Sequence, residues 1–104
     1  MEKIPELRKQ WDGHTQEIFD AIYGEFLYQR ALEAQKGYTP AKDKSCADFM
    51  LIMETYLNKA KIAYCTTKGD DHAMNEIRKV LATGITCALY FGLPERETKY
   101  TGKE

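Results

Sequence analysis

Ile52-Met-Glu-Thr-Tyr-Leu-Asn-Lys-Ala-Lys-Ile-Ala-Tyr64 and, beyond a Gly69-Asp-Asp turn, Asn75-Glu-Ile-Arg-Lys-Val-Leu-Ala82 decide how this chain folds. Apolar residues recur in both at spacings of three and four, the period of a helix that buries one face. The segments therefore read as two facing helices joined by a short turn. Each carries one glutamate, Glu54 and Glu76, read here as able to turn inward within its apolar stripe. A carboxylate inside such a stripe is costly unless a cation, a metal or a hydrogen-bond network offsets it. The pair marks the place to look for chemistry.

Working outward, Ser45 followed three residues later by Asp48 is a capping-box pattern with Asp in place of the usual Glu. It opens a helix reaching about residue 64, with Phe49, Ile52, Met53, Tyr56, Leu57, Ala60, Ala63 and Tyr64 as its stripe. In the turn that follows, Gly69 can take positive φ and Asp70 or Asp71 can cap the next helix. That helix is expected over 72–91 with Ile77, Val80, Leu81, Ile85 and Leu89 inward, stopped by Gly92 and Pro94. Gly84 costs roughly 1 kcal/mol relative to alanine in mid-helix, so a crowded helix contact is expected where Ala82, Gly84 and Ala88 narrow it.

Upstream, Thr15 can cap a helix over 16–34 whose apolar set is Ile18, Ile22 and Phe26 with Phe19, Tyr23 and Leu27. Pro5 opens a short segment over 5–11 that Asp12-Gly13 ends, an N-terminal arm, and 36–43 reads as a loop. The expected fold is all-α: three long helices plus a short N-terminal helical arm in a single domain over 1–94, with a charged flexible tail over 95–104. It is expected to assemble as a homo-oligomeric helical bundle. One chain of 104 residues has room for a single modest core, so a deep ligand site would need a second copy.

Composition narrows the partners. With 15 basic against 16 acidic residues the chain lacks the global basicity of a phosphate-backbone binder, which makes nucleic acid a poor partner. The three cysteines, Cys46, Cys65 and Cys87, are odd in number and widely spaced, matching neither a disulfide framework nor a zinc site. No apolar run approaches the roughly 18 to 20 residues that span a bilayer, and Met1-Glu-Lys-Ile-Pro-Glu6 is not a secretory leader. The expectation is a cytoplasmic protein without a membrane partner, its cysteines acting as small core residues.

Metal-dependent cleavage of a phosphoanhydride on helices needs several carboxylates converging, because Mg²⁺ takes an octahedron of oxygens and bridges substrate phosphates. Glu54, Glu76, Glu17 and Asp20 are available, but Glu76 can equally pair with Lys79 or Arg78, and Glu54 with Lys61 or Asn58. Lys59, Lys61, Arg78 and Lys79 surround the glutamates, and Tyr56, Tyr64, Tyr28 and Trp11 offer flat faces, the parts a nucleotide pocket uses. His14 and His72 lie beside turns with no nucleophile at a recognisable spacing, so they read as cap-region or surface residues.

Residues 48–82, with Gln29-Arg30 and Gly37-Tyr38-Thr39 upstream, resemble small phage and prophage proteins related to the MazG-like all-α nucleotide pyrophosphohydrolases. In that family one helix carries Glu-Glu-x-x-Glu and the next Glu-x-x-Asp, four carboxylates that hold magnesium against a triphosphate. Laid on this chain, the motifs fall on Glu54-Thr55-Tyr56-Leu57-Asn58 and Glu76-Ile77-Arg78-Lys79, so only Glu54 and Glu76 keep a carboxylate. A lysine at the position of an aspartate repels a metal and could instead neutralise a phosphate directly.

The reading that results is non-hydrolytic binding of a nucleotide or nucleotide-derived signal, as a phage anti-defence sponge would do. Its expected ligand-binding residues are Trp11, Tyr28, Arg30, Tyr56, Lys59, Arg78 and Lys79, with no catalytic residue and no cofactor. Two alternatives stand beside it. One is a magnesium-dependent pyrophosphohydrolase with Glu54 and Glu76 as metal ligands; the other is a structural helical interaction module.

Overall fold

A computed structural model of the chain describes residues 3–37, 39–66 and 69–97, with side chains from residue 13 onward. It is all-helical: α1 spans Lys3–Lys36, α2 Cys46–Cys65 and α3 Gly69–Phe91, with a short 3₁₀ turn at Ala41–Asp43. No strand occurs among the described residues, and no described helix is long and apolar enough to cross a membrane.

The capping box forms as read. Asp48 N–H donates to Ser45 Oγ at 3.1 Å, and Ser45 N–H donates to the Asp48 carboxylate at 2.8 Å. The hydrogen bonds from Ser45 hold the Asp48 carboxyl below its usual value. Ser45→Ala should lower stability by about 1 kcal/mol. Because the folded-state value is depressed, the contribution of Asp48 is complete above the ordinary carboxylate range and is lost as pH falls through the lower folded value. Acid melts of the unaltered chain and of Asp48→Asn, whose side chain carries no charge, should therefore converge at low pH.

At its other end α2 stops at Thr66, and Gly69 at φ 75° begins α3 three residues before the expected start at His72. Gly92 at φ 83° ends α3, its N–H donating to Ala88 O at 2.7 Å. The first helix begins upstream of its expected start at Gln16, so Thr15 lies inside α1 rather than capping it. The helical backbone also runs through Asp12-Gly13. The expected arm over 5–11 lies where side chains are outside the described residues, and Tyr38 and the tail from residue 98 lie outside them entirely.

α2 and α3 pack as an antiparallel hairpin. Near one end the Phe49 and Phe91 rings meet edge to face at 6.2 Å, and Cys46 Sγ lies 4.0 Å from Cys87 Sγ. α1 packs on α3 and barely touches α2. Ile22, Glu25, Phe26, Gln29, Leu32 and Glu33 of α1 are half-buried, whereas Ile18, Phe19, Tyr23 and Leu27 remain exposed. Leu57, Tyr64, Leu81 and Leu89, expected inward, are also exposed. The spacing rule identifies an apolar stripe but not what covers it.

Two further expectations change. Cys46 and Cys65 are exposed and Cys87 half-buried, so the thiols are not core residues; Cys46 and Cys87 face each other across the hairpin instead. Burial, reinforced by the contact with Cys46, pushes the Cys87 thiol up. At Gly84 an added Cβ would meet only Met53 Sδ, at 3.8 Å, which is ordinary contact. No crowded contact among the described residues explains that glycine.

The core is thin. Phe49 is the one large apolar side chain among the described residues that is buried, alongside Ala41, Ala60, Ala82, Thr83 and Thr86. The radius of gyration is 16.4 Å, against about 13 Å for a compact domain of this length.

Candidate ligand-binding cleft

Helical periodicity brings Lys59, Ile62, Ala63 and Thr66 of the α2 side opposite His72, Asn75, Glu76 and Lys79 of α3, lining an open cleft of about 500 Å³ that Arg78 also borders. Nucleotide-sized ligands occupy pockets in the range of roughly 300 to 1,000 Å³. Its lining is apolar at Ile62 and Ala63 and basic at Lys59, Arg78 and Lys79.

Lys59 Nζ and Lys79 Nζ each lie 5.7 Å from the centroid of the Tyr56 ring, so one ring attracts two ammonium groups from two helices. Tyr56 itself lies behind them and lines a separate cavity of about 130 Å³ with Gln29, Arg30, Glu33 and Lys44. It positions cations rather than offering its face to a base within the cleft. The backbone under Lys79 is also held: its carbonyl accepts from Thr83 Oγ1 at 2.8 Å and from Gln29 Nε2 of α1 at 3.3 Å.

Glu76 is the acidic group of the cleft. One carboxylate oxygen accepts from Lys79 Nζ at 3.2 Å, the pairing that the sequence allows at i,i+3. The other oxygen is buried with no hydrogen-bond partner among the described residues. Arg78 is committed elsewhere. Its Nε donates to Glu25 Oε1 of α1 at 2.9 Å and its Nη1 to Asn75 Oδ1 at 2.8 Å, so it braces α1 to α3 at the rim of the cleft.

Glu54 does not join them. It is exposed, five residues beyond the inward Phe49 and hence about 140° around α2 from it. The expectation that Glu54 turns inward is corrected on that ground: Thr55 and Asn58 share its exposure, so the first motif of the resemblance lies on the outer side. Among the described residues no group of three or more His, Cys, Asp or Glu side chains is placed to hold a metal. Glu54 does not line the cleft that Glu76 lines.

The remaining expected ligand residues disperse. Arg30 pairs with Glu33 at the small cavity, where Glu33 also accepts from the Ala41 N–H at 2.9 Å. Tyr28 is exposed on α1, and the Trp11 side chain lies outside the described residues. Of the basic residues expected at the site, the cleft gathers Lys59, Lys79 and Arg78. His72, Asn75, Ile62 and Thr66 were not among the expected ligand residues. Their signal was present in the sequence, since 59, 62, 63 and 66 share one helical face and 72, 75, 76 and 79 another.

Compared with known proteins, the chain matches no family model, no curated protein and no solved structure.

Proposed function

We propose that the protein captures a nucleotide or nucleotide-derived phosphate ligand in the α2–α3 cleft without cleaving it. The observation that carries this reading is the convergence of Lys59 and Lys79 on Tyr56 beside a cleft of about 500 Å³. Two ammonium groups lining one cleft, with Glu76 the one carboxylate among its lining residues, favour an anionic guest. A phosphate takes the lysines, and a base lies against Ile62 and Ala63 within reach of His72 and Asn75. Capture without turnover is supported by Glu76 being engaged by Lys79 while Glu54 lies on the outer side of α2. Sequestration of a signal, as in phage counter-defence, is the role this reading suits.

The test is a panel of nucleoside mono-, di- and triphosphates and cyclic dinucleotides, with thermal melting, calorimetry and recovery of the nucleotide after incubation with magnesium. A ligand present at 100 times its Kd stabilises the fold by about 2.7 kcal/mol, or more than about 10 °C in Tm for a domain of this size. The nucleotide should be recovered intact and in stoichiometric amount. Release of pyrophosphate would replace capture with hydrolysis. A second reading, a helical interaction module, is favoured by the sixteen large apolar or tyrosine side chains that stand exposed among the described residues. A panel in which nothing shifts the melt would select it.

A further inference from the structure

α2 and α3 share one covalent tie in the chain, the connection from Cys65 to Gly69. At the opposite end of the hairpin side chains join them: Phe49 meets Phe91 edge to face, and Cys46 Sγ lies 4.0 Å from Cys87 Sγ. Two thiols at that separation touch, and the sulfurs need to draw in by only about 2 Å to bond. Cys46 is free to make that movement, since it is exposed at the first position of α2, with Cys87 half-buried opposite. Cys65 is also exposed but ends the same 20-residue helix, about 28 Å from Cys46 along its axis. The fold therefore brings Cys46 to Cys87 and holds Cys46 and Cys65 apart.

We propose that Cys46 and Cys87 form a reversible dithiol–disulfide site, oxidised by a low-molecular-weight disulfide to an intramolecular bridge that fastens the open end of the α2–α3 hairpin. Cys46, the exposed member, reacts first. Its thiolate attacks one sulfur of the small disulfide, forms a mixed disulfide and expels one small thiolate. The Cys87 thiolate then attacks Cys46 Sγ, forms the bridge and expels the second. Two protein thiols lose two electrons and two protons; the small disulfide gains both and leaves as two thiols. The bridge joins residues 41 apart in sequence, and a closed loop of that length removes much of the conformational freedom of the unfolded chain. Such a clamp has a large effect here, because Phe49 is the one large apolar side chain buried among the described residues. The ligand cleft lies between the same two helices, toward the end that the chain already ties, and neither cysteine lines it.

The reduced, folded chain is titrated with oxidised glutathione, the remaining thiols are blocked with iodoacetamide under denaturing conditions, and peptide masses report each cysteine separately. Cys46 and Cys87 should appear as one bridged pair at concentrations of oxidised glutathione that leave Cys65 a thiol. The bridged protein should be lighter than the reduced one by two hydrogen atoms, and its Tm should rise by about 10 °C or more. Dithiothreitol should restore both values. Cys65→Ser should bridge as the unaltered chain does, whereas Cys87→Ser should retain one glutathione on Cys46. Should Cys87→Ser fail to fold, the peptide masses and melts of the unaltered chain carry the test by themselves. Glutathione that stays on Cys46 of the unaltered chain, a bridge that includes Cys65, a pair left as thiols where Cys65 is glutathionylated, or a bridged form with a lower Tm would each overturn the proposal. None of these readouts involves a nucleotide.

Discussion

Lys79→Glu should abolish nucleotide capture, lowering affinity by more than about 100-fold in calorimetric titration. Two effects combine. A charge-assisted bond from the ammonium to a phosphate oxygen, of about 1.5 to 3 kcal/mol, is lost, and a carboxylate replaces it beside both the phosphate and Glu76, which lies 3.2 Å from Lys79 Nζ. Since each 1.4 kcal/mol is tenfold in Kd, the first effect alone accounts for one to two decades. Lys79→Gln, which removes the cation without adding an anion, should fall between the two proteins. Lys61→Glu is the control: Lys61 is exposed on α2 and does not line the cleft. The difference between the two glutamate variants should narrow with added salt, as screening weakens contacts in an open cleft. The Gln29 and Thr83 contacts use the backbone carbonyl of Lys79, so they survive the substitution, and a melt in the absence of ligand verifies that the fold is intact. If Lys79→Glu bound the same nucleotide with unchanged affinity, the phosphate would have to lie elsewhere.

What sequence made legible here was local. Ser45 and Asp48 at a separation of three specify a capping box, and Gly92 with Pro94 behind it specifies a stop, because each needs only neighbours in the chain. The i,i+3 pairing of Glu76 with Lys79 belongs to the same class. Contacts across the fold were not legible. Glu25 reaches Arg78 over a separation of 53 residues, and nothing near Glu25 in the chain announces that it will be the less exposed partner of that pair. Cys46 and Cys87 looked unrelated for the same reason. Glu54, read within the apolar stripe, is exposed because it lies about 140° around α2 from Phe49, and a stripe read by spacing alone does not fix that phase. The exposed Tyr23, Leu27, Leu81 and Leu89 show a different limit. Periodicity records that a stripe is apolar, and the same stripe serves whether its cover is an intramolecular helix or a second molecule.

Phe49→Ala should cost about 3 to 4 kcal/mol, the cavity-forming range for a buried phenylalanine. Phe49 is 2% exposed, meets Phe91 edge to face at 6.2 Å, and already borders a cavity of about 130 Å³ that truncation would enlarge. Neighbouring side chains have little means of collapsing into the space, because Thr83 and Thr86 on its far wall hydrogen-bond back to their own helix, to Lys79 O and Ala82 O. A domain of this size has a total stability of about 5 to 15 kcal/mol, so the loss is a large fraction and should lower Tm by roughly 15 to 25 °C. Phe49→Leu, which keeps most of the volume, should cost less than about 1.5 kcal/mol. It should also leave nucleotide affinity unchanged, since Phe49 lies beyond Tyr56 from the cleft and does not line it. Were Phe49→Ala to cost under about 1 kcal/mol, the cohesion of the fold would have to lie elsewhere than in the packing of Phe49 against Phe91.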